Sequence, residues 1–164
     1  MSWIESELPL GDLPLAQGGV LRDARIAYRV HGEVADGRAI LLPHMYSGSM
    51  DSMTGFLAPD GPIDPAACAV VTPAMLGAGA STSPSNADPS QRGAAFPPLA
   101  TADDVAAQKA VLDHLGVVTL PLVVGFSMGA QQALRFAVTY PEMVERLVLI
   151  AGTARTTPYG RIVA

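Results

Sequence analysis

The sequence predicts an α/β fold with a mostly parallel sheet and helices on both faces. Short apolar runs alternate with helix-like patterns along the 164 residues. Hydrophobic residues make up 49% and charged residues only 15% of the chain, against roughly a quarter charged in ordinary soluble domains. Strands that are apolar throughout are typical of a sheet covered on both faces. A Gly-x-Ser-x-Gly sequence at 125–129 stands between one such run and a helical pattern.

The N-terminal half contains the signals for early strands and two buried strands. Gly18 and Gly19 predict a turn, and residues 20–30 then alternate enough to suggest strands. Residues 39–42 predict a short buried strand, and residues 44–49 a loop that opens towards a short helix. Residues 68–72 predict a second buried strand.

The C-terminal half begins with a long irregular segment and continues as helix, strand, helix and strand. Residues 73–98 are rich in Gly, Ser, Ala and Pro, and loops of this length usually serve a functional site. Thr101 and Asp104 resemble a capping box that starts a crossover helix, and Gly116 stops it. Residues 146–151 predict a further parallel strand.

Ser127 is the candidate nucleophile. Residues 121–124 read as a buried strand, and residues 130–140 as a helix that ends before Pro141. A serine between such elements sits on a sharp turn with strained backbone, and the flanking glycines let neighbouring chain pass close by. This context predicts nucleophilic catalysis at Ser127.

A serine nucleophile needs a histidine base and a carboxylate that orients it. Only 37 residues follow Ser127, and they contain no histidine and no aspartate. The three histidines, His31, His44 and His114, all precede it. We therefore expect residues 1–164 to be the N-terminal portion of one catalytic domain, and we expect the continued reading frame, or a partner chain, to supply the missing aspartate and histidine.

Four segments, in order, resemble the homoserine O-acetyltransferase family of the α/β-hydrolase fold. They are residues 19–28 (GVLRDARIAY), 44–49, 77–86 (GAGASTSPSN) and 125–155, and the last is followed by Thr-Thr-Pro at 156–158. The last segment is the most specific, because it joins the serine motif to Gln-Gln-Ala-Leu, Tyr-Pro and Val-Glu-Arg-Leu-Val. The resemblance implies an α/β-hydrolase fold truncated before its helical lid and last strands.

The resemblance also implies acyl transfer in two steps through an acyl-enzyme on Ser127, with a hydroxyl group or water as acceptor. The backbone N–H groups of Met128 and Tyr46 would donate to the oxyanion. The family resemblance makes acetyl-CoA a candidate acyl donor, and it implies no other cofactor. Members that act on homoserine tend to carry glycine where this chain has Phe126 and Ala130, so the resemblance leaves the acceptor open.

The other polar residues have structural interpretations. His44 lies near the oxyanion loop, but its position before the nucleophile favours a structural hydrogen bond over a base. His31 and His114 are expected at the surface or at a helix end. Asp103 and Asp104 are attributed to the dipole of the helix N-terminus, which favours carboxylates.

Composition limits the partners. The net charge of −5, with one lysine and nine scattered arginines, predicts no nucleic-acid binding. No run of 18 apolar residues predicts a membrane span, no spacing predicts a metal site, and the N-terminus does not resemble a secretory signal. Cys68 is the single cysteine, which suits the cytoplasm. The apolar strand at 146–151 would be an uncovered edge, which predicts self-association into a homo-oligomer.

Two hypotheses remain from different classes. The first is a serine-nucleophile acyltransferase or ester hydrolase, of which this chain is a part that would be inactive alone. The second is a truncated or degenerate non-catalytic α/β-hydrolase module that keeps the turn at Ser127 as scaffold.

Overall fold

The computed structural model describes residues 3–155 and contains one six-stranded sheet. The strands are β1 (Trp3–Pro14), β2 (Val20–His31), β3 (Ile40–Leu41), β4 (Val70–Pro73), β5 (Val123–Phe126) and β6 (Leu147–Ile150). They lie in the order β1-β2-β4-β3-β5-β6. The first two pairings are antiparallel, and the three pairings among β4, β3, β5 and β6 are parallel, which confirms the predicted mostly parallel sheet.

Helices cover both faces. The α-helices are α1 (Thr101–His114) and α2 (Met128–Thr139), and the 3-10 helices are Met50–Leu57, Pro89–Gln91, Gly93–Ala95 and Pro141–Met143. The terminal Thr-Thr-Pro of the resemblance, at 156–158, lies outside the described residues.

The N-terminal strand β1 was not predicted from the sequence. It forms a long hairpin with β2, in which Leu8 lies opposite Ile26, and the predicted turn at Gly18 and Gly19 is confirmed by their φ angles of 92° and 86°. Most of β1 is exposed, and only Leu8, Leu10 and Leu13 pack partly against the core. Pairing with β2 and the ion pair of Arg29 with Glu5 at 2.6 Å also hold it in place.

Alternate residues of the central strands face two separate hydrophobic clusters. Leu41, Val71 and Val123 contribute to the cluster that contains the buried residues of α1 and α2. Their neighbours contribute to a second cluster with the 3-10 helix Met50–Leu57. Because successive strand side chains point to opposite faces, the two clusters lie on opposite sides of the sheet. The crossover helix and the helix after the serine therefore share one face, and the short helix covers the other.

The start of α1 differs from its prediction. The residue that caps the helix is Ala100, and no side chain bonds to the first turn in the way that a Thr101 cap would. The carboxylate of Asp103 accepts instead from the backbone N–H groups of Ala100 and Ala16, each at 2.7 Å. The predicted capping box of Thr101 and Asp104 is thus wrong.

The strand β6 lies at the end of the sheet. It pairs in parallel with β5 over four residues, and its side chains Val148 and Leu149 remain 43% and 41% exposed. The predicted strand at 146–151 is confirmed, with bounds shorter by one residue at each end.

Candidate active site

Ser127 occupies the single residue between β5 and α2. Its φ and ψ angles are 55° and −117°, a combination that L residues other than glycine rarely adopt and that costs about 1–3 kcal/mol. Its N–H donates to the carbonyl oxygen of Ile150 at 2.9 Å, and its own carbonyl accepts from the N–H of Ala130 at 3.0 Å. The predicted strand, turn and helix are confirmed, and the serine is held at the carboxyl edge of the parallel strands.

The two glycines of the motif allow backbone segments to approach closely. A Cβ on Gly125 would lie 2.2 Å from the carbonyl oxygen of Gly129, and one on Gly129 would lie 2.3 Å from the carbonyl oxygen of Pro43. Such distances are too short for any side chain. The spacing of the motif therefore packs the start of α2 onto the end of β5 and onto the loop that follows β3.

The loop after β3 turns tightly above this contact. Ser47 has a φ of 54°, and the N–H of Gly48 donates to the carbonyl oxygen of Met45 at 3.1 Å. Tyr46 is 52% exposed at the tip of this turn. The close approach at Gly129 brings the base of the loop against the residue that follows Met128.

His44 is fully buried beneath the same loop. Its Nδ1 lies 2.8 Å from the carbonyl oxygen of Met45, and its Nε2 accepts from the N–H of Met75 at 3.1 Å. A carbonyl can only accept and an amide N–H can only donate, so the ring is neutral with its proton on Nδ1. Burial lowers the pKa of His44, and the hydrogen bond to Met45 opposes that shift. The structural hydrogen bond expected of His44 is confirmed.

An open cavity of about 730 Å³ borders these loops. Tyr46 and Met128, the two residues expected to donate to the oxyanion, both line it, whereas Ser127 does not. Its walls are mainly apolar, with Met75, Leu76 and other side chains of the 73–98 segment. Among the described residues that line it, none is a lysine, arginine or histidine. These lining residues therefore offer no cation that would hold an anionic group, and the acidic side chain among them is Asp104.

Asp104 lines the same cavity and was not recognised as part of it from the sequence. It is 8% exposed, and its carboxylate accepts from the N–H of Leu76 at 2.9 Å. Burial raises the pKa of Asp104, the Leu76 hydrogen bond opposes this shift and the charge of Asp103 adds to it, so that the pKa is about 7. Asp103 and Asp104 bond to other segments of the chain, so the helix dipole alone does not account for them. No local pattern marks such partners.

The remaining histidines lie away from Ser127 in the fold. His114 is exposed at the end of α1, as expected. His31 is 1% exposed in β2 beside the ring of Trp3, so the expectation of a surface position was wrong. Trp3 covers it because the unrecognised strand β1 pairs there.

Within residues 3–155, no group of three or more His, Cys, Asp or Glu residues could hold a metal ion. Within the same range, no helix has both the length and the apolarity needed to cross a bilayer.

The chain belongs to the alpha/beta hydrolase fold family, whose pattern matches residues 38–162. It is 40% identical over 154 residues to the ethyl acetate hydrolase of Pseudomonas veronii, an alignment that covers 92% of this chain and 44% of that protein. It is 34% identical over 173 residues to the homoserine O-acetyltransferase of Thermobifida fusca, which covers 94% and 45%. The predicted resemblance is thereby confirmed.

A solved structure agrees. The acetylester hydrolase from Corynebacterium glutamicum superposes with a TM-score of 0.90 at 37% identity, over 95% of this chain and 46% of that one. The chain spans less than half the length of each of these three relatives.

Proposed function

We propose that the chain carries the nucleophile of an enzyme that transfers or hydrolyses acyl groups through an acyl-enzyme on Ser127. The observation that carries the proposal is the φ of 55° at Ser127, at the turn from a buried parallel strand into a helix. A serine is kept in strained backbone when its hydroxyl must project from the sheet edge, which is the geometry of a nucleophile elbow.

The proposed reaction has two steps. The Ser127 hydroxyl gives its proton to the triad base as its oxygen attacks the acyl carbonyl, and collapse of the tetrahedral oxyanion releases the alcohol or thiol, which takes up that proton. Water or a second hydroxyl then loses a proton and attacks the acyl-enzyme carbonyl; the bond between the acyl carbon and the Ser127 oxygen breaks, Ser127 regains a proton, and a carboxylic acid or a new ester is released. The backbone N–H groups of Met128 and Tyr46 stabilise each oxyanion, and such a donor contributes about 3 kcal/mol. The position of both residues on one cavity supports these roles.

We further propose that residues 1–164 form the N-terminal portion of one α/β-hydrolase domain, and that the triad aspartate and histidine belong to its other portion. The coverage of only 44% of the Pseudomonas veronii relative supports this view. The complete polypeptide is therefore the object on which activity has to be measured.

Hydrolysis of small uncharged esters is the reaction that we favour within this class. The described residues that line the cavity include no lysine, arginine or histidine that would hold a carboxylate or a phosphate, and the relative from Pseudomonas veronii is an ethyl acetate hydrolase. Transfer from acetyl-CoA to a hydroxyl group is the second candidate, because a homoserine O-acetyltransferase is also among the relatives. Rates with ethyl acetate against rates with acetyl-CoA plus homoserine separate the two.

A fluorophosphonate probe tests the class on the complete polypeptide. We expect one labelled serine, and we expect Ser127→Ala to abolish both the labelling and ester hydrolysis. Ser90→Ala is the matched control, because Ser90 is exposed in a 3-10 helix and donates to Asp88 at 2.5 Å. A folded complete protein that remains unlabelled would favour the alternative, a non-catalytic module.

We also propose a cytoplasmic location for the protein, and self-association of isolated residues 1–164 through the exposed side of β6. The single cysteine supports the first, and the exposure of Val148 and Leu149 supports the second. Cell fractionation and size-exclusion chromatography test them separately.

A further inference from the structure

A buried imidazole joins the two loops that border the cavity. His44 donates from Nδ1 to the carbonyl oxygen of Met45 at 2.8 Å and accepts at Nε2 from the N–H of Met75 at 3.1 Å. Both ring nitrogens are thus occupied by backbone groups, and none of the ring is exposed. The ring has no free nitrogen with which to take a proton from Ser127, so its contribution lies elsewhere.

The carbonyl that His44 holds belongs to the same peptide group as the N–H of Tyr46. In a trans peptide the C=O and the N–H point in opposite directions, and the described residues contain no cis peptide bond. The N–H of Gly48 donates to the same oxygen at 3.1 Å. Two donors therefore fix one side of the Met45–Tyr46 peptide, and the direction of the Tyr46 N–H follows from them.

The restraint acts on an exposed and strained part of the loop. Tyr46 is 52% exposed, and Ser47 has a positive φ of 54°, which is strained for a serine. Rotation of the Met45–Tyr46 peptide would break both hydrogen bonds to the Met45 oxygen. A peptide whose oxygen accepts hydrogen bonds also donates more strongly from its nitrogen.

We propose that His44 is a positioning residue for the oxyanion hole. It holds the Met45 carbonyl so that the Tyr46 N–H points at the oxygen on which negative charge develops. The inference rests on the proposed function, in which that N–H is a donor. His44 touches no substrate and transfers no proton.

The two ring nitrogens allow this role to be separated from a merely structural one. Asn places an N–H donor near the position of Nδ1, and Gln places an oxygen acceptor near the position of Nε2. His44→Asn therefore keeps a donor to Met45, whereas His44→Gln keeps an acceptor for Met75. If His44 only stabilised the fold, the Asn and Gln variants would not differ in how strongly they stabilise the transition state.

The experiment uses the complete polypeptide with p-nitrophenyl acetate as substrate and a trifluoromethyl ketone as an inhibitor that forms a tetrahedral oxyanion on the serine. Loss of a whole oxyanion donor lowers kcat about 100-fold to 1000-fold. For His44→Ala, which leaves the donor present but unrestrained, we expect kcat/KM to fall roughly 10-fold to 100-fold, mostly in kcat. The inhibition constant of the ketone should rise by the same factor.

His44→Asn should recover most of this loss, and His44→Gln should not. Thermal unfolding of each variant shows whether it is folded at the assay temperature, and the Asn and Gln pair decides the matter if His44→Ala does not fold. Equal activity of the Asn and Gln variants, or a fall in kcat without a matching rise in the inhibition constant, would overturn the inference. Full activity of Ser127→Ala would instead overturn the proposed function and, with it, this inference.

Discussion

Replacing Ser127 by glycine should leave the protein more stable than replacing it by alanine. The φ of 55° and ψ of −117° favour glycine, and they cost another residue about 1–3 kcal/mol. Glycine loses about 0.5–1 kcal/mol more backbone entropy than alanine on folding. The difference leaves Ser127→Gly about 1 kcal/mol more stable than Ser127→Ala, although both variants lack the hydroxyl and should be inactive.

A helical position supplies the matched control for this comparison. Val138 lies in α2 with 70% of its surface exposed, where glycine is about 1 kcal/mol worse than alanine. Val138→Gly should therefore be less stable than Val138→Ala, the reverse of the order at Ser127.

Equilibrium denaturation in urea measures both pairs on the complete polypeptide. A higher midpoint for Ser127→Gly than for Ser127→Ala, at an unchanged slope, is the expected result. If the alanine variant at position 127 is as stable as the glycine variant or more stable, which is the order expected at position 138, the turn is relaxed and the argument from strain fails.

Three further predictions concern the cavity, the packing of the motif and the sheet edge. Because the pKa of Asp104 is raised from 3.8 in the unfolded chain to about 7 in the folded protein, the unfolded chain loses this proton first as pH rises, and the free energy of unfolding falls by about 4 kcal/mol between about pH 4 and pH 7. Asp104→Asn should remove this fall in urea titrations across that range, and an unchanged pH profile would contradict the prediction. Gly129→Ala should destabilise the protein by about 1–3 kcal/mol and lower its activity, because the added Cβ would meet the Pro43 oxygen at 2.3 Å. The control Gly55→Ala, whose Cβ would have nothing within 4 Å, should change neither stability nor activity. Equal effects of the two substitutions would refute the argument from close approach. Isolated residues 1–164 should elute as an oligomer or aggregate in size-exclusion chromatography, and a monomer with a sharp cooperative melt would show that the exposed side of β6 needs no cover.

Local patterns were sufficient to predict the central strands and the turn at Ser127. The strand at β5 is apolar throughout, and the glycines at 125 and 129 mark the close approaches that the structure contains. The signals for these features lie near one another in the sequence, although the segment that Gly129 approaches, at Pro43, does not. For the same reason the turn at Gly18 and Gly19 and the crossover helix were predicted correctly.

The features that were missed depend on distant partners. Asp103 accepts from Ala16, 87 residues away, and Asp104 from Leu76, 28 residues away. Neither bond leaves a periodic signal in the chain. The strand β1 is exposed over most of its length, and its pairing with β2 also buries His31. Tertiary contacts therefore decided the burial of these polar groups, and sequence periodicity does not report such contacts.

The central claim is that the Ser127 oxygen accepts an acyl group. Rapid acid quenching of the complete polypeptide during turnover of p-nitrophenyl acetate, followed by peptide mass spectrometry, tests it most directly. An acetyl group on residue 127 that forms within the first turnover and disappears when substrate is exhausted is the predicted result. Turnover with no acetyl group on Ser127, or with one on another residue that forms and decays at the rate of turnover, would contradict the account.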